Sequence, residues 1–277
     1  MSTPIHNCDK ERFGSRVEGV LKPLLQHRGS GERHPVYDFL FEYYSFRPAQ
    51  LRCWSPGRLS REDARAFPAK RISGLEWIVD YLRGMEMRTP LFSCFGMHEW
   101  AMVYRSERPR HDVPLRFDSN ELARIVDAHP LKCTHYDAFR FFTPAAQPKN
   151  RHALTSSNRG EFDQCGCIHA NMDLYKWAYK YYPWISSELI LDAFELAVKA
   201  RVLDMQASPY DLREWGFHPV YIETQEGKRE YEIQQRDLAA RGTPIRQQLL
   251  QSLEVLLENV RSVKVESMEL EVVSSTS

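Results

Sequence analysis

The chain has 277 residues, and its 37 Lys and Arg residues are balanced by 37 Asp and Glu residues, so the formal net charge is zero. A chain without net charge lacks the overall positive field that supports non-specific nucleic-acid binding, which excludes a histone-like coating role. A local basic groove stays open as an alternative. Hydrophobic residues make up 43% of the chain and charged residues 27%, a composition typical of a globular protein.

The sequence contains no apolar run of the roughly 20 residues that a membrane helix needs, and its first residues, MSTPIHNCDK, lack the apolar core of a signal peptide. The six cysteines are too few to form a disulfide scaffold in a chain of this size. We therefore expect reduced thiols, a cytoplasmic location and no membrane partner.

Hydrophobic spacing and capping signals predict a mainly α fold, with a single helical domain and a short extended segment. We expect a polar N-terminal segment over residues 1–33, a helical catalytic domain over 34–260 and a flexible tail over 261–277. Residues 143–164 are predicted to form a long polar connection, and residues 217–224 a short strand or extended link. The predicted helices, in chain order, cover residues 12–26, 34–46, 71–88, 90–104 (after an N-cap at Thr89), 119–128, 168–182, 186–205 and 227–260, the last broken at 242–244.

Ionisable residues inside apolar stretches are the best evidence for chemistry, because an unpaired charge in a core is strongly destabilising. The segment HPVYDFLFEYYSF places His34, Asp38 and Glu42 on one stripe of a helix, with Tyr43 and Tyr44 among the aromatic residues on its other faces. Two interpretations stay open. The rings form a pocket wall for a planar ligand, or the carboxylates simply face water.

Two other segments place a histidine among apolar residues. LFSCFGMHEWAMVYR contains His98 and Glu99, but it is not the HExxH zinc motif because position 102 is Met. CTHYDAFRFFTP contains His135, followed by Asp137 and Arg140. Each histidine is either a ligand or general base, or an ordinary core residue with a satisfied hydrogen bond.

The segment CGCIHANMDLYKWAYKYYP carries the most information. His169 and Asp173 lie one helical turn apart, and Lys176 continues the same stripe. An imidazole and a carboxylate at this spacing can share a metal ion, or the carboxylate can orient the ring and raise its basicity. Cys165 and Cys167 precede them as two soft ligands. The alternative is an ordinary pair that stabilises the helix.

Five strings in the chain resemble a bacterial and algal family of about this length that carries the label 3-methyladenine DNA glycosylase. The resemblance runs from about residue 34 to residue 245, and it implies cleavage of an N-glycosidic bond. The chain lacks the Gly-rich helix-hairpin-helix and following Asp of known glycosylases, and GxGxxG, Walker and GxSxG motifs are also absent. The strings are HPVYDFLFEYYSFRPAQLRCWSPG, FGMHEWAMVYR, CTHYDAFRFFTPAAQP, CIHANMDLYKWAYKYYPWISSEL and LDMQASPYDL.

The first functional hypothesis follows this resemblance and predicts hydrolysis of the N-glycosidic bond of a damaged base or a nucleoside. Asp38 or Asp173 would stabilise the oxocarbenium ion or activate water, and His169 or His135 would move protons. The substrate would be a nucleobase or another small molecule, with nucleic acid as an open alternative. The residues expected to bind it are Tyr43, Tyr44, Trp100, Arg140 and Lys176.

The second hypothesis is a metal-dependent enzyme, a non-haem iron oxidoreductase. Its ligands would come from His98, His135, His169 and Asp173, with Glu99 and Asp137 as other carboxylates, and its metal would be iron or zinc. The third hypothesis is a non-catalytic helical interaction protein, in which the histidines are scattered. The first two require folding to bring the three histidines into one aromatic-walled cavity.

Overall fold

Twelve α-helices and no sheet make up the part of the chain that the computed structural model describes, which is residues 4–31, 33–106 and 111–275. The mainly α single-domain fold is thereby confirmed. The helices are α1 (Pro4–Leu25), α2 (Asp38–Tyr43), α3 (Pro48–Leu51), α4 (Arg61–Arg65), α5 (Ile72–Glu86), α6 (Met97–Ala101), α7 (Ser119–Ala128), α8 (Tyr136–Phe139), α9 (Arg159–Phe162), α10 (Ile168–Lys180), α11 (Ser187–Gln206) and α12 (Gln225–Ser275).

Capping side chains fix the starts of two helices that the sequence predicts, those over 119–128 and 186–205. The side chain of Asp118 accepts hydrogen bonds from the backbone N–H groups of the first turn of α7, and Ser186 accepts one from the backbone of Leu189 in α11. Both side chains satisfy donors that the helix itself leaves free. The helices predicted over 71–88 and 168–182 are α5 and α10.

The helix predicted over 90–104 is wrong at both ends, since only Met97–Ala101 is helical and residues 102–105 form turns. Residues 90–96 are irregular, and α6 is a short helix that begins only at Met97. Phe95 and Gly96 have φ angles of 50° and 73°, in the left-handed region that a right-handed helix cannot include. This turn separates the proline at position 90 from α6 and sets the direction in which α6 leaves the loop.

The last helix also differs from the prediction. α12 runs without a break through Gly242 and Pro244 and continues past residue 260 to Ser275, over the range predicted as a flexible tail. Leu249, Leu253 and Leu256 of α12 are buried in the core. Their packing stabilises a continuous helix across a proline that removes one backbone hydrogen bond.

The predicted polar segment over 1–33 contains α1, which packs onto the rest of the fold. Phe13, Val17, Leu21 and Leu24 recur at helical spacing and are all buried. Residues 217–224 form no strand: the segment is irregular up to Tyr221 and then turns, since the backbone N–H of Thr224 donates to the carbonyl of Tyr221. It is anchored where the backbone N–H of Val220 donates to the carbonyl of Gln206.

α10 and α11 lie at the centre of the fold, and α12 packs on both of them. Nine of the 13 residues of α10 and 13 of the 20 residues of α11 are buried, so both helices are enclosed on nearly every face. Polar residues on these helices, including Asp173, Arg201 and Asp204, therefore lie inside the core. Among the described helices, none has an apolar stretch long enough to cross a bilayer.

Candidate functional site

The three histidines singled out in the sequence lie side by side in the core. His98 comes from α6, His135 from the residue before α8, and His169 from the first turn of α10. The ring centroids of His98 and His169 are 4.5 Å apart, and those of His135 and His169 are 5.4 Å apart. His169 is therefore the middle member of a row of three imidazoles.

A carboxylate that the sequence analysis did not select, Asp204 of α11, completes a group with two of these rings. Its Oδ1 lies 2.7 Å from Nε2 of His98, and its Oδ2 lies 3.8 Å from Nε2 of His169. One ligand atom from each of the three residues falls within 4.8 Å of the other two. We call His98, His169 and Asp204 the triad.

The triad is surrounded by buried charge. Arg201, one turn before Asp204 on α11, places its Nη1 atom 2.9 Å from Oδ2 of Asp204 and 3.5 Å from Oε1 of Glu99. One guanidinium thus faces two carboxylates. All of these side chains are buried, where opposite charges attract strongly because little water screens them.

The surroundings shift the pKa values of the triad residues in different directions. Burial alone lowers the pKa of His98, but the charge of Asp204 and its hydrogen bond outweigh burial and raise that pKa well above its ordinary value. Burial lowers the pKa of His169, and the charge of His98 lowers it further, so His169 is a neutral imidazole. Burial would raise the pKa of Asp204, yet its interactions with the two histidines hold it below its ordinary range. An ionised carboxylate and a neutral imidazole are the forms that bind metal ions, so His98 must release a proton before it can bind one.

A second group of charges, which we call the Asp173 cluster, lies on the other side of His169. It comprises His135, Asp137, Arg159, Asp163, Asp173 and Lys176. Nζ of Lys176 is 2.8 Å from Oδ2 of Asp173 and 3.0 Å from Oδ2 of Asp137. Nε2 of His135 is 3.5 Å from Oδ2 of Asp173 and 3.9 Å from Oδ2 of Asp163. Neither ring nitrogen of His135 has a hydrogen-bond partner among the described residues.

Two carboxylates of the Asp173 cluster, Asp173 and Asp137, are ionised. Burial would raise the pKa of Asp173, but the charge of Lys176 and a contact with His135 lower it well below its ordinary range. Burial would likewise raise the pKa of Asp137, and Lys176 and Arg159 instead lower it to about 2. The phenol of Tyr44 donates a further hydrogen bond of 3.2 Å to Asp173. Asp173 is thus a fixed anion rather than a proton donor.

Two small cavities lie on either side of His169. One, of about 20 Å³, is bounded by the rings of Tyr43 and Tyr44 together with His135, His169 and Asp173. The other, of about 10 Å³, is bounded by both triad histidines and by three thiols, those of Cys94, Cys133 and Cys167. Each has room for about one water molecule, so a larger substrate must approach from outside.

The thiol of Cys94 is the outer partner of His98. Its Sγ lies 3.5 Å from Nδ1 of His98, the ring nitrogen that points away from Asp204. A hydrogen bond between Nδ1 and this sulfur fixes the ring so that Nε2 faces the triad. Contact with the thiol of Cys133 and with His98 lowers the pKa of Cys94 well below its ordinary value, although burial opposes this.

Several residues selected from the sequence lie elsewhere. Asp38 does not line either cavity, because Arg28 and His27 from the turn after α1 bind its carboxylate at 2.9 Å and 2.7 Å. Trp100 is also outside the aromatic wall, since its indole N–H donates to the carbonyl of Ala207 at 2.9 Å in the core. Arg140 does not line the cavity beside Tyr43 and Tyr44, but its Nε lies 3.4 Å from Oδ1 of Asp137, which does.

Two residues that the sequence analysis missed, Arg201 and Asp204, share a signal that it could have used. Arg201 and Asp204 stand three positions apart in the otherwise apolar stretch ARVLDM of a helix that is buried on nearly every face. The same criterion that selected His98 and His169 would have selected them. Asp163 carries a weaker signal, because it lies in the polar stretch 143–164 and becomes buried only through its contacts with Tyr81 and Arg159.

No protein-family model, curated protein or solved structure matches this chain.

Proposed function

We propose that this protein is a metal-dependent enzyme, a non-haem iron oxidoreductase, whose metal ion is held by His98, His169 and Asp204. The observation that carries the proposal is the convergence of two imidazoles and one carboxylate from three helices on one buried point. This is the ligand set of non-haem iron(II) enzymes, which leaves coordination positions open for oxygen and substrate. The carboxylate ligand is thus Asp204, whereas the metal hypothesis from the sequence assigned that role to Asp173.

The hydrogen bond between His98 and Asp204 fits this proposal. A proton between Nε2 and Oδ1 occupies the same place that a metal ion would take between the two ligand atoms. The neighbouring groups also suit a metal site, because Cys94 orients the ring of His98 and Arg201 orients the carboxylate of Asp204. When bound, the iron ion would supply redox chemistry, while these residues hold and orient its ligands.

Metal analysis tests the proposal directly. Protein purified without chelators and without oxygen is expected to contain about one iron ion per chain, since the triad provides one set of ligands. His169→Gln and Asp204→Asn should each lose the metal, and circular dichroism should show that the measured protein is folded. Asp173→Asn is the matched control and should retain the metal, because Asp173 lies in the other cluster.

Two results would overturn the proposal. Metal-free protein that takes up no added iron(II) would remove the metal centre. Protein that contains one zinc ion per chain, which iron(II) cannot replace, would contradict the proposed oxidoreductase activity. Zinc is not redox-active, and with similar ligands it supports hydrolysis.

N-glycosidic bond hydrolysis is the second candidate, favoured by one observation. Tyr43, Tyr44 and Asp173 line the same cavity, so an ionised carboxylate stands beside two aromatic rings. Such a carboxylate would stabilise an oxocarbenium ion, and the rings would stack on a base that enters once the cavity widens. Release of free base from alkylated DNA, abolished in Asp173→Asn and unchanged in Asp204→Asn, would support this candidate over the iron enzyme.

We also propose a cytoplasmic location. All six cysteines have free thiols in the structure, which suits a reducing compartment. Fractionation of the producing cells, with the protein detected by antibody, tests this proposal.

A further inference from the structure

A cleft of about 320 Å³ opens on the surface beside the triad and gathers positive charge. Three cationic side chains line it: Lys132 and Lys228, which are half-buried, and Arg229, which is exposed. None of the three forms an ion pair with another residue in the described part of the chain. The carboxylate of Glu232 also lines the cleft, but Arg236 binds it at 2.6 Å.

This concentration of unpaired cations is notable in a chain whose net charge is zero. Many arginines of the structure bind a carboxylate, as Arg16, Arg52 and Arg116 do. Three cations that share one cleft without such partners repel one another. An oxyanion placed between them would relieve that repulsion and accept charge-assisted hydrogen bonds.

The cleft adjoins the inner cavity beside the triad. Ser93 and Lys132 line both the outer cleft and the inner cavity that contains His98 and His169. The inner cavity has only about 10 Å³, room for a water-sized group. A molecule held in the cleft can therefore extend only a small reacting end past these two residues toward the metal ligands.

We infer that the cleft binds the charged end of the substrate, and that the substrate is a small molecule with a carboxylate or phosphate group. This inference depends on the proposed metal centre for the reaction, but the anion site depends on the cleft alone. The volume lies within the range of small-molecule sites. A nucleic acid would need cations spread along a groove rather than three in one concave site.

The anion site can be tested with inorganic phosphate and with malonate, titrated separately into the full-length protein by calorimetry. Lys132→Gln/Lys228→Gln should weaken binding of the preferred anion at least about tenfold, because two charge-assisted contacts are removed. Lys22→Gln/Lys199→Gln is the matched control. It removes the same charge from exposed positions on α1 and α11 and should change the affinity less than about twofold.

The results separate the possible sources of the charged group. If one of the two anions binds more tightly than the other, and only the cleft variant loses this binding, the inference is supported. The preferred anion then identifies the charged group of the substrate as a phosphate or a carboxylate. Equal affinities in the cleft variant and the control overturn it. Preference for a single-stranded oligonucleotide over both small anions, with loss of that preference in the cleft variant, also overturns it.

Metal content measured on the same samples keeps this inference distinct from the proposed function. If the protein contains its metal but the cleft variant binds anions normally, the anion site is rejected and the metal centre is retained. If the protein contains no metal but the cleft variant loses anion binding, the iron enzyme is rejected and the anion site is retained.

Discussion

Asp204 of α11 and His98 of α6 lie 106 positions apart in the sequence and make a buried contact of 2.7 Å between Oδ1 and Nε2. The contact links the short helix after the irregular segment 90–96 to the enclosed central helix. It also fixes which ring nitrogen of His98 faces His169. The position of the candidate metal centre thus depends on the packing of α6 against α11.

The buried guanidinium of Arg201 should be necessary for stability. Arg201→Met leaves the carboxylates of Glu99 and Asp204 without this cation, and it also removes the stacking of the guanidinium on Phe39 at 4.0 Å. We expect the free energy of unfolding to fall by about 3–5 kcal/mol, as for other broken buried ion pairs. Urea denaturation measures this change.

Arg213→Met is the matched control for Arg201→Met. Arg213 also pairs with an aspartate, Asp211, but its side chain is 65% exposed, so its loss should leave the free energy of unfolding almost unchanged. Similar losses for the two variants would show that the Arg201 network contributes little to the fold.

The turn before α6 should tolerate no side chain at Gly96. Its φ of 73° is in the left-handed region, and an added Cβ would lie 3.0 Å from Cβ of Ala207. Gly96→Ala is therefore expected to lower the free energy of unfolding by about 1–3 kcal/mol. Gly14→Ala, in the interior of α1 with no atom near the new Cβ, should instead raise it by about 0.5–1 kcal/mol. A neutral Gly96→Ala would contradict this account of the turn.

Sequence reasoning identified the histidines of the site because each stands inside an apolar segment, where a polar side chain needs a partner. It failed for partners far away in the chain. Asp204 was treated as part of an ordinary helix, although its contact with His98 decides the candidate ligand set. Asp38 was selected because of its aromatic neighbours, but Arg28 and His27 neutralise it from a turn whose path no local pattern shows.

The same limit applies to the helices. Capping residues and hydrophobic spacing act within one or two turns, so they were sufficient to predict α5, α7, α10 and α11. The turn at Phe95 and Gly96 and the continuation of α12 through Pro244 depend on tertiary packing. Local signals gave the opposite prediction at both places because packing overrides them there.

The acid sensitivity of the fold should depend in part on Asp137. Lys176 and Arg159 lower its pKa from 3.8 to about 2, so the unfolded state binds more protons than the folded state between these values. The stabilisation is complete above about pH 4 and is lost as the pH falls toward 2. Asp137→Asn should lower the free energy of unfolding at pH 7 by at most about 2 kcal/mol and flatten its fall between pH 4 and 2.

Urea denaturation at several pH values measures the contribution of Asp137. Asp112→Asn, at an exposed aspartate outside both clusters, is the control and should keep the wild-type pH profile. Identical pH profiles for Asp137→Asn and the wild type would show that Asp137 does not contribute through its ionisation.

Metal binding should stabilise the folded chain, since the triad exists only when three helices are packed together. Iron(II) or cobalt(II) at about 100 times its dissociation constant should raise the free energy of unfolding by about 2.7 kcal/mol. The midpoint of thermal unfolding, followed by circular dichroism without oxygen, should rise by several degrees, and a chelator should reverse the rise. His169→Gln should abolish the response, because it removes one of three ligands. His218→Gln, at an exposed histidine, should retain the response, whereas a response lost only in His218→Gln would place the metal on the surface and away from the triad.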